Sequence, residues 1–326
     1  MAEAVIGAPW MGWLSRLPTW RGCLILAYHR ILAEDDEAPF ERAIYSATTA
    51  GLDAQMRFLS KHFEVVPAEV IASDADRRGR RVVVTFDDGY RDNHEYAFPI
   101  LREHGIPAAF FLATGFLDRP RVPWWDELAW MVNRSERAAF EPGPWPAERL
   151  SLEDPGLASG ALARTFKSLP ADRTEAFLDH CAEATGAGRI AESEADGLWM
   201  SWEMAAELRD AGMDVGGHSA NHPVLGRATP EAQAREIDEC AQRLAQELGI
   251  PMRLFAYPVG LRESFDLSTR TILADAGVEL AFSLYGGYLR PGRLDRLDVP
   301  RASVGLETNQ HAFRAMLGFP SRLARW

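Results

Sequence analysis

The feature that most constrains this chain is the alternation of short apolar runs with segments of helical periodicity. Residues 23–31, 81–88 and 107–116 have the composition of buried strands, and residues 51–62 and 93–105 have helical spacing. The alternation resumes after residue 200 and continues to about residue 305. Strands that alternate with helices form a parallel sheet with crossover helices, and at least six such units favour a barrel over a small open sheet.

Residues of about 120–198 interrupt this alternation. They are rich in Ala, Glu, Arg and Pro and poor in β-branched residues, which predicts loops and helices. We therefore expect an N-terminal segment at 1–22 and one barrel domain at 23–318, with a largely helical insertion at about 120–198.

Helix-end signals are clearest in the second half of the chain. Ser201 is placed to cap a helix that runs to Gly212, and Thr229 to cap one that begins at Pro230 and ends at Gly249. A further stretch, "RLDVPRASV" near residue 300, predicts a last strand.

Charge and composition exclude several classes of protein. The net charge of −12 argues against a nucleic-acid partner, and three widely spaced cysteines argue against a disulfide framework or a thiolate zinc site. No apolar run is long enough to span a bilayer, and no basic segment of a secretory signal is visible, so we expect a cytoplasmic protein. Trp10, Trp13 and Trp20 could dock on a membrane surface or pack on the domain. The oligomeric state is left open.

Two adjacent carboxylates, Asp87 and Asp88, follow the apolar strand "VVVTF" and precede Gly89. Asp-Gly is a common turn signal, so an ordinary turn is one interpretation. The other is a metal or acid–base site, because two like charges beside a core are costly unless a cation offsets them. Neighbouring side chains on an extended backbone point in different directions, which would let the two carboxylates have separate roles.

His218 and His222 form a second polar group in "GGHSANHP". The preceding glycines exclude a helix, and Pro223 is expected to bias His222 toward extended backbone. Neutral imidazoles with one carboxylate suit Zn²⁺, and also Co²⁺, Ni²⁺ or Fe²⁺. The alternative is one core histidine and one surface histidine.

These polar residues share a position at the carboxyl ends of predicted strands. His29, the Asp87–Asp88 pair, His218 and the Tyr257–Pro258 pair each follow an apolar run. In parallel α/β folds those ends meet on one face, where active sites are built. We therefore expect the four segments to converge.

The motifs "TFDDGY", "HSANH" and "FAYPVG", in that order, resemble the NodB-type polysaccharide deacetylases, carbohydrate esterase family four. The resemblance covers about 23–118 and 199–305 and follows the bacterial exopolysaccharide-cluster branch. It implies a distorted (β/α)7-type barrel and metal-dependent hydrolysis of an N-acyl amide on a sugar. It also implies one divalent metal, zinc in the first place, held by Asp88, His218 and His222.

Further roles follow from the same resemblance. Asp87 would be the general base, and Tyr257, Pro258 and Val259 would contact substrate, with the Val259 N–H binding the oxyanion. The family's arginine is missing from the third motif, so we expect Arg301 in "VPRASV" to orient the base. The family's late histidine is not recognisable. His29, at a strand end in "YHRI", resembles the acid of the exopolysaccharide branch and is the candidate acid. A backbone-bonded His29 and a surface ion pair for Arg301 are the alternatives.

Trp124, Trp125 and Asp126 open the insertion and could form a sugar platform, because aromatic faces stack on pyranose rings; a packed aromatic core is the alternative. The expected function is removal of an N-acetyl group from an amino sugar that is polymeric, lipid-linked or nucleotide-linked. A lipid-linked substrate would bring the protein to a membrane. A deformylase or other deacylase, and an inactive carbohydrate-binding barrel, are the rivals.

Overall fold

A computed structural model describes residues 20–34, 40–74 and 79–323. Its strands are β1 (Gly22–Tyr28), β2 (Arg30–Leu32), β3 (Tyr45–Thr48), β4 (Glu64–Val65), β5 (Arg80–Phe86), β6 (Ala108–Leu112), β7 (Ala139–Phe140), β8 (Leu150–Ser151), β9 (Asp214–Gly217), β10 (Leu254–Ala256), β11 (Leu280–Ser283), β12 (Val299–Pro300) and β13 (Ala302–Ser303). Its α-helices are α1 (Thr49–His62), α2 (Val70–Asp74), α3 (Phe98–Glu103), α4 (Thr114–Asp118), α5 (Trp124–Asn133), α6 (Pro155–Ser168), α7 (Thr174–Thr185), α8 (Trp202–Asp210), α9 (Pro230–Leu248), α10 (Leu267–Asp275), α11 (Gln310–Gly318) and α12 (Pro320–Leu323).

Eight parallel strands form one continuous sheet in the order β12-β11-β10-β9-β6-β5-β1-β13, and β4 pairs with β5 beside this path. The two edge strands, β12 and β13, are consecutive in the chain and are separated by Arg301 alone. The sheet therefore wraps into a nearly closed barrel with flanking helices. The predicted distorted (β/α)7-type barrel is confirmed.

The register of the sheet determines which residues follow neighbouring strands at the same level. β1 and β5 pair without a shift from Gly22↔Arg80 to Tyr28↔Phe86. The next residues, His29 and Asp87, therefore emerge side by side. β6 and β9 end level in the same way, and the His218 N–H continues the ladder by donating to the Leu112 carbonyl at 2.9 Å.

The alternation of side chains along the strands divides the core in two. Leu24 and Leu26 of β1 belong to the larger apolar cluster, which includes residues of α1 and α9. Cys23 and Ile25 belong to a second cluster with Val83 of β5. Strands that are buried on both faces need a continuous apolar sequence, which is the pattern these segments have.

The helix ends confirm the predicted signals. Ser201 accepts a hydrogen bond from the Met204 N–H at the start of α8, and Thr229 accepts one from the Ala232 N–H at the start of α9. Gly249 ends α9 at φ +66°, a left-handed conformation that glycine adopts without penalty.

The insertion consists of α5, α6 and α7 with a short antiparallel hairpin, β7–β8, which the sequence did not predict. It has its own apolar cluster, which includes Leu128, Leu162, Phe166 and Phe177. The hairpin strands are two residues long, too short for a period of two to be visible. The proposed boundaries of 1–22, 23–318 and about 120–198 stay predictions.

Two local predictions differ from the structure. β6 ends at Leu112, not at residue 116, because Thr114 begins α4. The stretch "RLDVPRASV" forms two strands at opposite edges of the sheet. Trp20 is buried in the main core and stacks on Phe63, whereas Trp10 and Trp13 lie outside the described residues. Within the described part of the chain, none of the helices has the length and apolar character needed to cross a membrane.

Candidate metal centre

Asp88, His218 and His222 lie together at the carboxyl end of the barrel, and all three are buried. Nε2 of His218 is 3.3 Å from Oδ1 of Asp88, and Nε2 of His222 is 3.5 Å from the same oxygen. Two ligand atoms each about 2.0–2.1 Å from one tetrahedral ion would be about 3.4 Å apart. Both distances match this separation, and one ligand atom from each of the three residues lies within 4.8 Å of the others.

The hydrogen bonds around the three residues fit a metal. Neither oxygen of Asp88 has a hydrogen-bond partner among the described residues, although both are buried. Nδ1 of His218 lies 2.7 Å from the Ala256 carbonyl. An N–H donated from Nδ1 leaves the lone pair of Nε2 facing Asp88, which is the usual arrangement of a metal-ligating histidine.

Burial and charge shift the pKa values of these groups. Burial, with the neighbouring His218, lowers the pKa of His222 to about 3, so its imidazole is neutral as a ligand must be. Burial acts to raise the pKa of Asp88, but its contacts with the histidines outweigh that effect and lower the pKa, which keeps the carboxylate ionised.

Backbone strain is concentrated at this centre. Among the described residues other than glycine, those with positive φ are Asp88 (75°), Ser219 (61°), His222 (55°) and Val259 (64°). Such conformations cost about 1–3 kcal/mol each and persist where the surroundings impose them. At Asp88 and His222 the strain accompanies the placement of candidate metal ligands on tight turns.

These angles correct two expectations. Asp88 is not on extended backbone: Asp87 and Asp88 diverge because Asp88 and Gly89 form a left-handed turn. The turn interpretation of "DDG" is therefore confirmed, and the metal or acid–base interpretation stays a prediction. Pro223 does not make His222 extended either, because the His222 N–H donates to Ser219 Oγ at 3.0 Å and closes a tight turn.

Asp87 forms a buried ion pair with Arg301. Nη1 and Nη2 of Arg301 donate to the two carboxylate oxygens at 2.6 and 2.7 Å, and Nη1 also lies 3.1 Å from Thr85 Oγ1. Burial alone would raise the pKa of Asp87, but Arg301 and His218 outweigh it and lower the pKa to about 2. Arg301 is fully buried, so the alternative of a surface ion pair is wrong.

His29 lies beside the Asp87–Arg301 pair and is partly exposed to solvent. Its Nε2 is 3.9 Å from Oδ2 of Asp87, and its side chain is 17% exposed. Its backbone is fixed at both ends of the residue. The His29 N–H donates to Ser46 Oγ at 2.8 Å, and the His29 carbonyl accepts from Asn93 Nδ2 at 2.6 Å. The imidazole itself remains accessible from the site.

The segment after β10 divides into a buried part and an accessible part. The Tyr257 ring stacks on Phe265, and its hydroxyl donates to the Leu297 carbonyl at 2.7 Å, so the expected substrate contact through this side chain is wrong. Pro258 is also buried. Val259 is half-buried, and no described residue accepts a hydrogen bond from its N–H.

The start of the insertion packs against the centre and does not form an open platform. The Trp125 ring lies edge-on to His222 with centroids 4.6 Å apart, and its Nε1 donates to the Tyr90 hydroxyl at 2.9 Å. Asp126 is fully buried and accepts hydrogen bonds from Tyr90 and from the Glu41 N–H, so the expected substrate contact is wrong. Trp124 stacks on Phe166 and lines a cavity beside His222.

A polar group behind the centre was missed by the sequence reasoning. Arg30 is buried, donates to Asp92 at 2.8 Å and lies 4.6 Å from the ring centroid of Tyr90. Asp92 also accepts from the Ile31 N–H, which ties β2 to the segment that follows the aspartate pair. "DDGYRDN" contains two of these residues, but a single sequence does not show which of its polar side chains turn inward.

Comparison with known proteins shows which family this chain is similar to. A family model described as polysaccharide deacetylase matches residues 74–138 and 159–281, together more than half of the chain. A curated relative, YxkH of Bacillus subtilis (strain 168), is provisionally described as a polysaccharide deacetylase. It is 37% identical over 43 residues, which cover 13% of this chain and 15% of YxkH.

Solved structures share the fold. IcaB from Ammonifex degensii has a TM-score of 0.59 at 22% identity, with 91% of this chain and 97% of that chain covered. The Streptococcus pyogenes deacetylase PplD, solved in complex with acetate, has a TM-score of 0.58 at 16% identity, with 88% and 94% covered. BC0361, a polysaccharide deacetylase from Bacillus cereus, has a TM-score of 0.58 at 17% identity, with 90% and 69% covered.

Proposed function

Because this chain belongs to the polysaccharide deacetylase family, we propose that it is a metal-dependent hydrolase that removes the N-acetyl group from an amino sugar. One observation carries the proposal. Asp87, ionised by its ion pair with Arg301, stands directly beside the buried set of Asp88, His218 and His222. A non-ligand carboxylate next to a three-ligand site supplies the base and the metal that amide hydrolysis requires.

One divalent cation, zinc in the first place and cobalt, nickel or iron as alternatives, would be held by Asp88, His218 and His222. When bound, it would polarise the amide carbonyl and make the attacking water more acidic. The protein would supply three metal-ligating groups. These are one carboxylate, whose two oxygens have no hydrogen-bond partner among the described residues, and two imidazoles, one of which is oriented by a backbone carbonyl.

Asp87 would accept the proton of the attacking water. Arg301 orients the carboxylate through two hydrogen bonds and keeps it ionised before the reaction. The left-handed turn at Asp88 separates the two aspartates, so that Asp88 serves as a ligand and Asp87 stays free of that role.

His29 would donate the proton that the leaving amine needs, since its partly exposed imidazole lies beside Asp87. The Val259 N–H would donate to the carbonyl oxygen as negative charge develops on it. Its positive φ is consistent with a backbone held in position for this purpose. The amide C–N bond breaks, and acetate and the free amine leave.

The proposal covers polymeric, lipid-linked and nucleotide-linked amino sugars. The cytoplasmic location expected from the sequence stays a prediction. Removal of a formyl or another small acyl group would use the same residues, and an inactive carbohydrate-binding barrel would retain the fold without the reaction.

Metal content and acetate release, measured on the same preparation, test the proposal. The wild type should contain about one metal ion per chain and release acetate from N-acetylated sugars. Asp87→Asn should keep the metal and lose the reaction, whereas His218→Ala should lose both. If the protein binds metal and releases no acetate, but releases formate from N-formyl sugars, the proposed substrate would be an N-formyl sugar. A wild type that binds no added Zn²⁺ or Co²⁺ would overturn the enzyme proposal.

A further inference from the structure

A cavity of about 440 Å³ lies between the insertion and the loop that carries His222. Trp124 and Phe166 line it from the insertion, and Asn221 and His222 line it from the barrel. His222, one of the candidate metal ligands, forms part of its wall, so the cavity adjoins the place where the proposed substrate would react.

Arg121 lines the cavity and is held by three separate contacts. Its carbonyl accepts from Trp199 Nε1 at 2.9 Å, and its Nη2 donates to Asn221 Oδ1 at 3.0 Å. Its guanidinium also lies 5.1 Å from the ring centroid of Phe116. A guanidinium has five N–H donors, so one bond to a neutral amide leaves most donors and the whole charge available.

Asn221, the hydrogen-bond partner of Arg121, is itself bonded to an acidic residue, Glu236. Both carboxylate oxygens of Glu236 accept from Asn221, one from its backbone N–H at 2.7 Å and one from its side-chain amide at 2.9 Å. Glu236 therefore orients Asn221, which in turn orients Arg121, without neutralising the arginine. This arrangement fixes a cation in place and preserves its charge.

A second cation, Arg227, lines the same cavity and is exposed. Within the described ranges, no carboxylate forms an ion pair with Arg121 or Arg227. Arg189, also on the cavity, differs because it pairs with Glu127, Glu175 and Asp179. The cavity wall also carries the carboxylate of Glu192, and Arg121 and Arg227 are both exposed. Neither arginine has an ion-pair partner among the described residues, which favours an anionic group beside them.

We propose that Arg121 and Arg227 bind the phosphate of a glycosyl phosphate or diphosphate whose acetylated sugar lies at the metal centre. Guanidinium groups bind phosphate oxygens through paired hydrogen bonds, and two such charges match a phosphate better than a single carboxylate. A nucleotide diphosphate sugar and a polyprenyl diphosphate sugar present the same group. The inference rests on the proposed deacetylation.

Steady-state kinetics of the zinc-loaded enzyme test this subsite. Three probes share one acetylated sugar: UDP-N-acetylglucosamine, farnesyl diphosphate-linked N-acetylglucosamine and the neutral methyl glycoside. The wild type should show a KM for a phosphate-bearing probe about tenfold or more below that for the methyl glycoside. Arg121→Ala should reduce that KM ratio by about tenfold with little change in kcat, and Arg121→Lys should retain part of it.

Arg235→Ala is the matched control, because Arg235 is exposed on α9 and does not line the cavity; its KM ratio should equal that of the wild type. Preference between the two phosphate-bearing probes identifies the source of the phosphate. A wild type that favours the neutral glycoside, or a ratio unaffected by Arg121→Ala, would overturn the proposal.

Equilibrium dialysis separates this proposal from the proposed reaction. The Asp87→Asn protein should retain radiolabelled UDP-N-acetylglucosamine, and the Asp87→Asn/Arg121→Ala protein should retain about tenfold less. Retention without turnover by the wild type would keep the phosphate subsite and reject the deacetylase. Turnover of neutral sugar without retention would reject the subsite alone. If retention of UDP-N-acetylglucosamine is lost in His218→Ala but not in Arg121→Ala, the phosphate binds the metal and the proposed subsite is overturned.

Discussion

Arg301 donates to both carboxylate oxygens of Asp87, at 2.6 and 2.7 Å, and the two residues are separated by more than 200 positions in the chain. Arg301 is the single residue between β12 and β13, the two edges of the barrel. The residue that joins the edges is therefore also the residue that orients the proposed base.

Arg301→Met should lower the free energy of unfolding by about 3–5 kcal/mol, because it leaves the Asp87 carboxylate buried without its cation. Urea unfolding measures the change. Arg270→Met is the control: Arg270 also makes two hydrogen bonds to one carboxylate, that of Asp295, but this pair is partly exposed. Its loss should cost less than about 1 kcal/mol. If both variants lose the same free energy of unfolding, burial of the Arg301–Asp87 ion pair does not add to its effect on stability.

Removal and return of the metal should change stability as well as activity. A protein that binds zinc only when folded gains about 2.7 kcal/mol at a free zinc concentration of 100 times Kd. The chelator-treated wild type and Asp87→Asn should therefore both show a raised Tm on addition of zinc, and His218→Ala should not. An equal rise in His218→Ala would place the zinc outside the proposed centre.

Trp125→Phe should weaken zinc binding about tenfold, the lower end of the range for residues that orient metal ligands. The change removes the indole N–H that bonds to Tyr90 and reduces the ring that packs against His222. Competition with a chromophoric chelator measures the affinity. Trp202→Phe loses a comparable indole bond, to Asp118, and should bind zinc as the wild type does. If Trp125→Phe binds zinc with the wild-type affinity, Trp125 contributes to packing and does not orient His222.

Asp214, at the start of β9, should make stability depend on pH. Burial raises the pKa of its carboxyl to about 6, despite the hydrogen bond from the Ala68 N–H. Since this folded-state pKa lies above the unfolded value of about 3.9, the folded protein binds the proton more tightly. The stability that this proton contributes is complete below about pH 4 and is lost as pH rises to about 6.

The Asp214→Asn variant removes this titration and keeps an oxygen acceptor for Ala68. The difference in unfolding free energy, wild type minus variant, should fall by up to about 3 kcal/mol between pH 4 and pH 7. Urea unfolding across that range measures it. A difference that does not change with pH would show that the Asp214 carboxyl is not perturbed.

The sequence was sufficient for features that depend on local backbone chemistry. The caps at Ser201 and Thr229 and the glycine end of α9 were predicted because each involves only neighbouring residues. The barrel was predictable because continuous apolar strands alternate with helices. The convergence of His29, Asp87, Asp88 and His218 followed from the rule that parallel strands end on one face.

Other features depend on contacts between distant segments. Tyr257 follows a strand as Asp87 does, yet its ring packs against Phe265 from a later segment. The conformation of His222 is set by a bond to Ser219, which outweighs the preference imposed by Pro223. The sequence gives no local signal at Arg121, because the role proposed for it depends on Trp199, Asn221 and Glu236, which come from elsewhere in the chain.

The position of Arg301 between the edge strands has a consequence for the order of assembly. Leu26 pairs with Ala302, near the opposite end of the described chain, so the last parallel pairing needs almost the whole barrel in place. During synthesis the ligands and the base are all made before the cation that orients the base. A nascent chain would therefore gain the cation that orients the proposed base only when its last strand docks, so closure of the barrel and orientation of Asp87 would coincide.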